Sequence, residues 1–298
     1  MIVRARPSFG DIVFALRGSI VPRIARRVAA MVLLAIAAVL LAGRYPDLFA
    51  RFSVLPFTLI GIALSVFMSF RNNACYDRWW EGRRQWGQLV VDIRSFIRAT
   101  AHLDLHVREP LLIGLCGFTH ALAARLRDED EQAAACRWID DPVRDEAPNL
   151  PDAVLREVGL ACSRLARSGE ISEWRYTVLE ARLAGLTGVQ AACERIHATP
   201  LPFAYTLLLH RTAYLFCGLL PFALAGSLGW ATPFLVAIVC YTFFGLDALG
   251  DELEDPFGRE ANDLPLDAMV RMIERELLAA LGRSPLPEAL APVDHLLL

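Results

Sequence analysis

The 298-residue chain lacks the cysteine spacing that marks a zinc ribbon or a disulfide framework. Its seven cysteines, Cys75, Cys116, Cys136, Cys162, Cys193, Cys217 and Cys240, are scattered and odd in number, and none forms a C-x-x-C pair. They read as reduced thiols packed as small hydrophobes. The six histidines, His102, His106, His120, His197, His210 and His295, offer no H-E-x-x-H or related metal spacing. Nucleophile-elbow and Walker-type loops are also missing. No catalytic residue, resident metal or cofactor is therefore expected. There is no basic excess: the net charge is −3 and the pI about 6.1, which excludes an electrostatic footprint for nucleic acid. A cleavable leader is not expected either. Arg4, Arg6, Arg17, Arg23, Arg26 and Arg27 precede the first apolar run, and Ala42-Gly43-Arg44-Tyr45 makes a poor cleavage site. Strand alternation, internal repeats and low-complexity tracts are absent from the pattern.

Apolar residues, by contrast, are abundant. They make up 55% of the chain and mean hydropathy is +0.39, yet 21% of residues are charged. That balance predicts an all-α membrane protein in which a few spans carry a sizeable cytosolic part. Residues 1–27, with Ile12, Val13, Phe14, Ile20, Val21 and Ile24 among arginines, fit an interfacial or cytosolic segment. The first span is placed at 28–43, only ~24 Å as a helix, so it must borrow flanking residues. The second is placed at 52–70, with no charge and ~28 Å of length. The uncharged run Thr212–Leu246 would be ~50 Å as one helix, too long for one crossing. It is read as a hairpin turning at Ala225–Trp230, giving a third span at 203–226 and a fourth at 231–249. His210 and Arg211 then lie at the interface or face protein. Arginines cluster before the first span and across Arg71–Arg195, and the hairpin turns hold only Arg44 and Arg51. The positive-inside rule thus puts both termini in the cytosol, in a plasma (inner) membrane protein of four spans.

Region 71–200 is polar with helical periodicity, as in Leu89, Val90, Ile93, Phe96 and Ile97. Asp140-Asp141-Pro142 through Asn149-Leu150-Pro151 reads as a loop, Ser168-Gly169 as a turn, and Ser172 as an N-cap. Residues 250–285 form a C-terminal cytosolic helical segment, and 286–298 a loosely structured tail.

Two segments are dense in information. Phe70-Arg71-Asn72-Asn73-Ala74-Cys75-Tyr76-Asp77-Arg78-Trp79-Trp80, continuing to Gly87, follows the second span directly. It reads either as an inner-leaflet anchor of tryptophans and arginines or as a helix running on into the cytosol. Asp251, Glu252, Glu254 and Asp255 sit where the fourth span leaves the membrane. They read either as an acidic turn pairing with arginines, the favoured reading, or as oxygen ligands for calcium.

The run Arg71–Gly87, the segment Thr199-Pro200-Leu201-Pro202-Phe203-Ala204-Tyr205, and Glu252-Leu253-Glu254-Asp255-Pro256-Phe257-Gly258 followed by Asn262-Asp263-Leu264-Pro265 resemble bestrophins, most of all the bacterial branch. The resemblance extends to about Leu286. It implies a homopentamer, each chain partnered by four further copies, around a central pore lined by the second span. Three apolar rings form the neck of that pore in the family, and they fall here on Ile62, Val66 and Phe70. Their i, i+4, i+8 spacing puts them on one helical stripe, as any apolar span would supply. Small residues Gly61, Ala63 and Ser65 nearby would allow close packing. A second, cytosolic constriction matches Ser172–Tyr176, with Trp174 as the candidate and ordinary core packing as the alternative. In animal relatives carboxylates after Pro-Phe-Gly help clamp calcium; here Arg259-Glu260-Ala261-Asn262-Asp263 dilutes that run, and no calcium activation is expected.

The resemblance implies passive conduction of small monovalent ions with an apolar neck as gate. Bacterial relatives suggest cations, the favoured direction, whereas animal and plant relatives suggest chloride. A secondary transporter would show repeated halves, which the two hairpins do not. A scaffold or sensor without conduction remains the third class. The partners expected are copies of the chain, inorganic ions and lipid.

Overall fold

The computed structural model describes residues 1–3, 10, 18–51, 53–139 and 148–298. The predicted interfacial residues Ile12, Val13 and Phe14, the start of the second span at Phe52, and the loop residues 140–147 lie outside the described residues. The described residues are helical, with no strand among them beyond two isolated bridges, Ile2 with Leu296 and Val293 with Leu296. The chain divides into two units. One, the polar unit, comprises Met1–Val3, Trp80–Thr199 and Pro256–Leu298; the other, the apolar unit, comprises Arg4–Trp79 and Pro200–Asp255.

In the apolar unit, helix α1 runs Val21–Arg44, entered through Pro22 and stopped before Pro46. A proline in the first turn sacrifices no intrahelical bond, and a proline beyond the end cannot extend it. The helix begins seven residues before the predicted span and is ~36 Å long, so it does take in flanking residues, Arg26 and Arg27 among them. A single turn, α2 (Pro46–Phe49), follows. Helix α8 runs Phe203–Leu228 and ends at Gly229, whose φ of 52° is open to glycine but strained for other residues. After a 3₁₀ turn at Gly229–Ala231, helix α9 runs Thr232–Glu254. The hairpin therefore turns at the late end of the predicted Ala225–Trp230. Its second helix continues past the predicted 249, so Asp251, Glu252 and Glu254 sit on its last turn and Asp255 caps it. Ile24, Leu64, Met68, Phe216, Val236 and Phe244 form the core of this unit. Gly226 lies against α2: a Cβ there would stand 3.1 Å from the Phe49 carbonyl oxygen.

Helix α3, Leu55–Ala99, is a continuous helix of 45 residues, ~68 Å long. Between Phe70 and Trp79 there is no proline or glycine to break it, and the ladder runs through the Trp- and Arg-rich segment. That segment is helical throughout, continuous with the apolar part before it. Leu64, Met68, Arg71 and Cys75, then Trp86, Leu89, Ile93 and Phe96, are buried along it at three- and four-residue steps.

In the polar unit, α4 (Leu105–Arg125), α5 (Glu131–Ala135), α6 (Leu150–Ser168), α7 (Glu173–Ala198) and α10 (Leu266–Ala280) pack together. The Asn149 side chain caps α6 by accepting from Asp152 N–H, so Leu150 and Pro151 start a helix where a loop was predicted. Gly169 at φ 80° ends α6, and the Ser172 side chain caps α7 by accepting from Arg175 N–H, as the sequence predicts. The 250–285 segment is helical up to Glu254 and again in α10, with the break falling at Pro256–Gly258 between them. The 286–298 tail is irregular but attached. Arg271 and Arg275 on α10 donate to the Glu288 and Pro287 carbonyls, and Ala268 N–H donates to the Leu298 carbonyl.

Among the described residues, three helical stretches are long and apolar enough to cross a membrane: Val21–Arg44, Leu55–Ala99 and Phe203–Glu254, the last carrying the 3₁₀ turn within its 52 residues.

Candidate pore stripe and buried charge cluster

On α3, Ile62, Val66 and Phe70 are 59%, 47% and 60% exposed in the single chain. Leu64 and Met68, two residues from them, are buried. Two residues are ~200° of helix rotation, so the stripe faces directly away from the chain's own core. It carries no charge from Ser53 to Phe70. Gly61 does allow close packing, with the Phe216 ring of α8 only 3.2 Å from where a Cβ would be. Ala63 and Ser65 are exposed, so the predicted close packing at these two positions is not found within the chain. The Ser65 hydroxyl instead donates to the Gly61 carbonyl of its own helix at 2.7 Å.

Immediately after Phe70 the helix turns a charge inward. Arg71 is completely buried. Its Nη2 lies 2.5 Å from Asp251 Oδ1 and 3.4 Å from Glu254 Oε2, and its Nη1 lies 3.3 Å from Asp247 Oδ1. His210 Nδ1 stands 2.7 Å from Asp247 Oδ2, and Arg27 Nη1 is 3.9 Å from that same oxygen. Arg27 also lies over the Tyr214 ring. Four helices, α1, α3, α8 and α9, thus contribute to one ionic cluster. Such a cluster in an apolar bundle persists only because its charges are paired. Gly250 makes room for it: a Cβ there would meet Asn72 Oδ1 at 2.6 Å and Arg71 Nη1 at 2.9 Å.

The acidic residues singled out in the sequence are mostly arginine partners. Asp251 and Glu254 bind Arg71, and Glu252 Oε1 lies 3.2 Å from Arg23 Nη1. Glu254 also accepts from Leu201 N–H at 3.0 Å, and its carbonyl accepts from Arg78 Nε. Asp247 was missed. It stands one residue beyond the uncharged run, and a carboxylate one turn inside the acidic end of an otherwise apolar helix is the signal that could have found it. His210, Asp247 and Asp251 bring ligand-type atoms within 4.8 Å of one another, but the Arg71 guanidinium already supplies the positive charge they require. After Pro256-Phe257-Gly258 the residues do not fit calcium. Arg259 pairs with Glu129 and Asp267, and Asp263 Oδ2 accepts from Glu260 N–H at 2.7 Å. A cation stands among the would-be ligands and a carboxylate holds its own turn. Trp174, in the first turn of α7, is 86% exposed, so it is not packed in the chain's own core.

The family model of Bacterial/Fungal Bestrophin protein matches residues 1–279. The chain belongs to the bestrophin family. A protein of Mesorhizobium japonicum, named as a voltage-dependent anion channel-forming protein, is 46% identical to this bestrophin over 96% of this chain and 94% of its own. The Escherichia coli protein of the same description, YneE, is 39% identical over 99% of both chains. The crystal structure of a bacterial bestrophin homolog from Klebsiella pneumoniae has 38% identity and a TM-score of 0.85, covering 88% of this chain and all of that one. The expected all-helical bestrophin fold is thus found.

Proposed function

We propose that this bestrophin is a membrane channel that passes small anions passively. The observation that carries the reading is that relatives matched over nearly their whole length are named as anion channel-forming proteins. The cation direction favoured from the sequence rested on resemblance to bacterial relatives, and the names of these bacterial relatives point the other way. The chain's own residues agree with a pore that does not select by a charged neck. Ile62, Val66 and Phe70 present an uncharged outward stripe, and Arg71 beside it is neutralised by carboxylates. A ring of such stripes gates by dewetting, and an anion that sheds its water readily suffers least in an apolar ring.

In this reading five copies surround one axis bordered by the apolar half of α3. Each chain crosses a bacterial inner membrane four times, by α1, the first part of α3, α8 and α9, with both termini cytoplasmic. Exposed Trp174 narrows a second constriction on the cytosolic side. The donor set after Gly258 makes conduction independent of calcium. Bilayer recordings in asymmetric chloride salt test the proposal. The reversal potential is expected near the anion equilibrium value, and a reversal near the cation value would overturn the anion assignment. Light scattering in detergent is expected to give five chains per particle.

A further inference from the structure

The outward stripe of α3 does not end with Phe70. Rotation of ~100° per residue brings Asn73 and Asp77 back to within ~20° of Val66, the middle residue of the proposed neck. Both are exposed, whereas Leu64, Met68, Arg71 and Cys75 are buried on the opposite side of the helix. Arg78, ~100° further round than Asp77, turns away and donates to the Glu254 carbonyl at 3.0 Å. No proline or glycine stands between Phe70 and Asp77, and the helix runs through them unbroken.

Asp77 is the first charged side chain on this stripe. From Ser53 to Phe70 the helix carries no charge, and the next one, Arg71, points inward to its carboxylates. Among the described residues Asp77 makes no hydrogen bond or ion pair, so its charge is not neutralised within the chain. It stands ~10.5 Å beyond Phe70 along the helix axis. A lone exposed carboxylate is ordinary, since most are simply solvated. Asp77 differs because copies arranged about the axis that the neck borders would bring one carboxylate per chain into a single ring. That ring lies in line with the neck and about one Debye length from it at 0.1 M salt.

We infer that Asp77 forms a carboxylate ring at the cytosolic mouth of the neck, which makes the channel rectify and pass monovalent anions in preference to divalent ones. This rests on the pore proposed above. The ring repels anions approaching from its own side and leaves entry from the far side less affected, so current depends on the direction of the voltage. Its potential acts once on chloride and twice on sulfate. A roughly two-fold depletion of chloride at the mouth is therefore a roughly four-fold depletion of sulfate. Arg84, seven residues further on, is exposed and of opposite sign, and it supplies the control.

Single-channel recordings from the intact chain in symmetric chloride test this. Currents at opposite voltages are expected to differ roughly two-fold at 0.1 M salt and to become equal at 1 M, where the Debye length is only ~3 Å. Asp77→Asn should make the 0.1 M curve linear and raise sulfate permeability relative to chloride about two-fold. Asp77→Glu keeps the charge and should behave as the unaltered chain. Arg84→Gln removes a charge of the other sign and should not make the curve linear. Asp77 has no partner within the chain to lose, so its variants should melt and elute with the unaltered protein. Rectification that survives Asp77→Asn, or that Arg84→Gln abolishes, overturns the inference and leaves the pore standing. A variant that no longer assembles places Asp77 in a contact between subunits and also overturns it. A cation reversal potential overturns the anion assignment alone: Asp77→Asn should then lower the current entering from the ring's side, and a rise would remove the ring as well. A chain that passes no ions overturns both.

Discussion

Arg71 Nη2 lies 2.5 Å from Asp251 Oδ1, and this contact joins α3 to α9 directly beside the outward-facing Phe70. The guanidinium also meets Asp247, which is itself wholly buried. Replacing Arg71 with Met would keep side-chain bulk and leave Asp247 buried with only His210 and the distant Arg27 for company. Removing one member of a buried pair typically destabilises by ~3–5 kcal/mol. The Arg71→Met variant is therefore expected to unfold at markedly lower temperature in detergent. The Arg71→Met/Asp247→Asn double variant should recover part of that loss, because the stranded charge is gone. Additive losses in the pair would show that the two side chains do not act together.

Gly250 allows that contact to form. A methyl group there would lie 2.6 Å from Asn72 Oδ1 and 2.9 Å from Arg71 Nη1, separations that no side chain tolerates without displacing a neighbour. Gly250→Ala would ordinarily favour a helix, by ~1 kcal/mol. Here it is expected to destabilise instead, by ~1–3 kcal/mol from overpacking. The control is Gly218 in α8, where nothing lies within 4 Å of the new Cβ and alanine should be neutral or better. Thermal melts of the two variants side by side read the sign directly.

His120 makes the stability of the polar unit depend on pH. Burial, only partly offset by Glu274, holds its pKa below the ordinary 6.5. The folded chain then binds fewer protons at this site than the unfolded chain does. Its contribution is fully present above about pH 6.5, the unfolded value, and declines as pH falls toward the lower folded value. The melting temperature should therefore drop between pH 7 and pH 5, and His120→Gln should flatten that part of the curve. An unchanged slope in the variant would assign the pH dependence to other groups.

Much of this molecule could be read from the order of its residues, because apolar runs and helix caps are local signals. Ser172 and Gly169 act where their side-chain chemistry and backbone freedom place them. The hairpin turns at Gly229–Ala231, the late end of the Ala225–Trp230 stretch that its glycines mark. Tertiary pairing was harder to see. Arg71 looked like one of several arginines at a membrane face, yet it turns inward, because its partners come from α9, some 180 residues further on. Asp247 lay just outside the run that defined the span, and only the fold shows that it faces His210. The tail reads as loosely structured because its bonds to α10 run from arginine side chains to its backbone carbonyls, which leave no trace in side-chain pattern.

The proposed neck makes a further demand on the chain. Ile62, Val66 and Phe70 project from the face of α3 opposite its buried Leu64 and Met68, so shortening them removes almost nothing from the chain's own core. If they instead close an apolar ring among copies, shortening them widens it and lowers the barrier to wetting. The Ile62→Ala/Val66→Ala/Phe70→Ala variant is accordingly expected to keep its melting temperature within a few degrees and to show higher open probability or conductance in bilayers. Ile60→Ala, exposed on the same helix but ~120° of rotation away from the centre of the triad, is the comparison and should leave currents unchanged. A triple variant with unaltered currents would move the constriction elsewhere. A triple variant that no longer assembles would instead place these side chains in contacts between subunits. The two outcomes are separated by sizing the particle before recording from it.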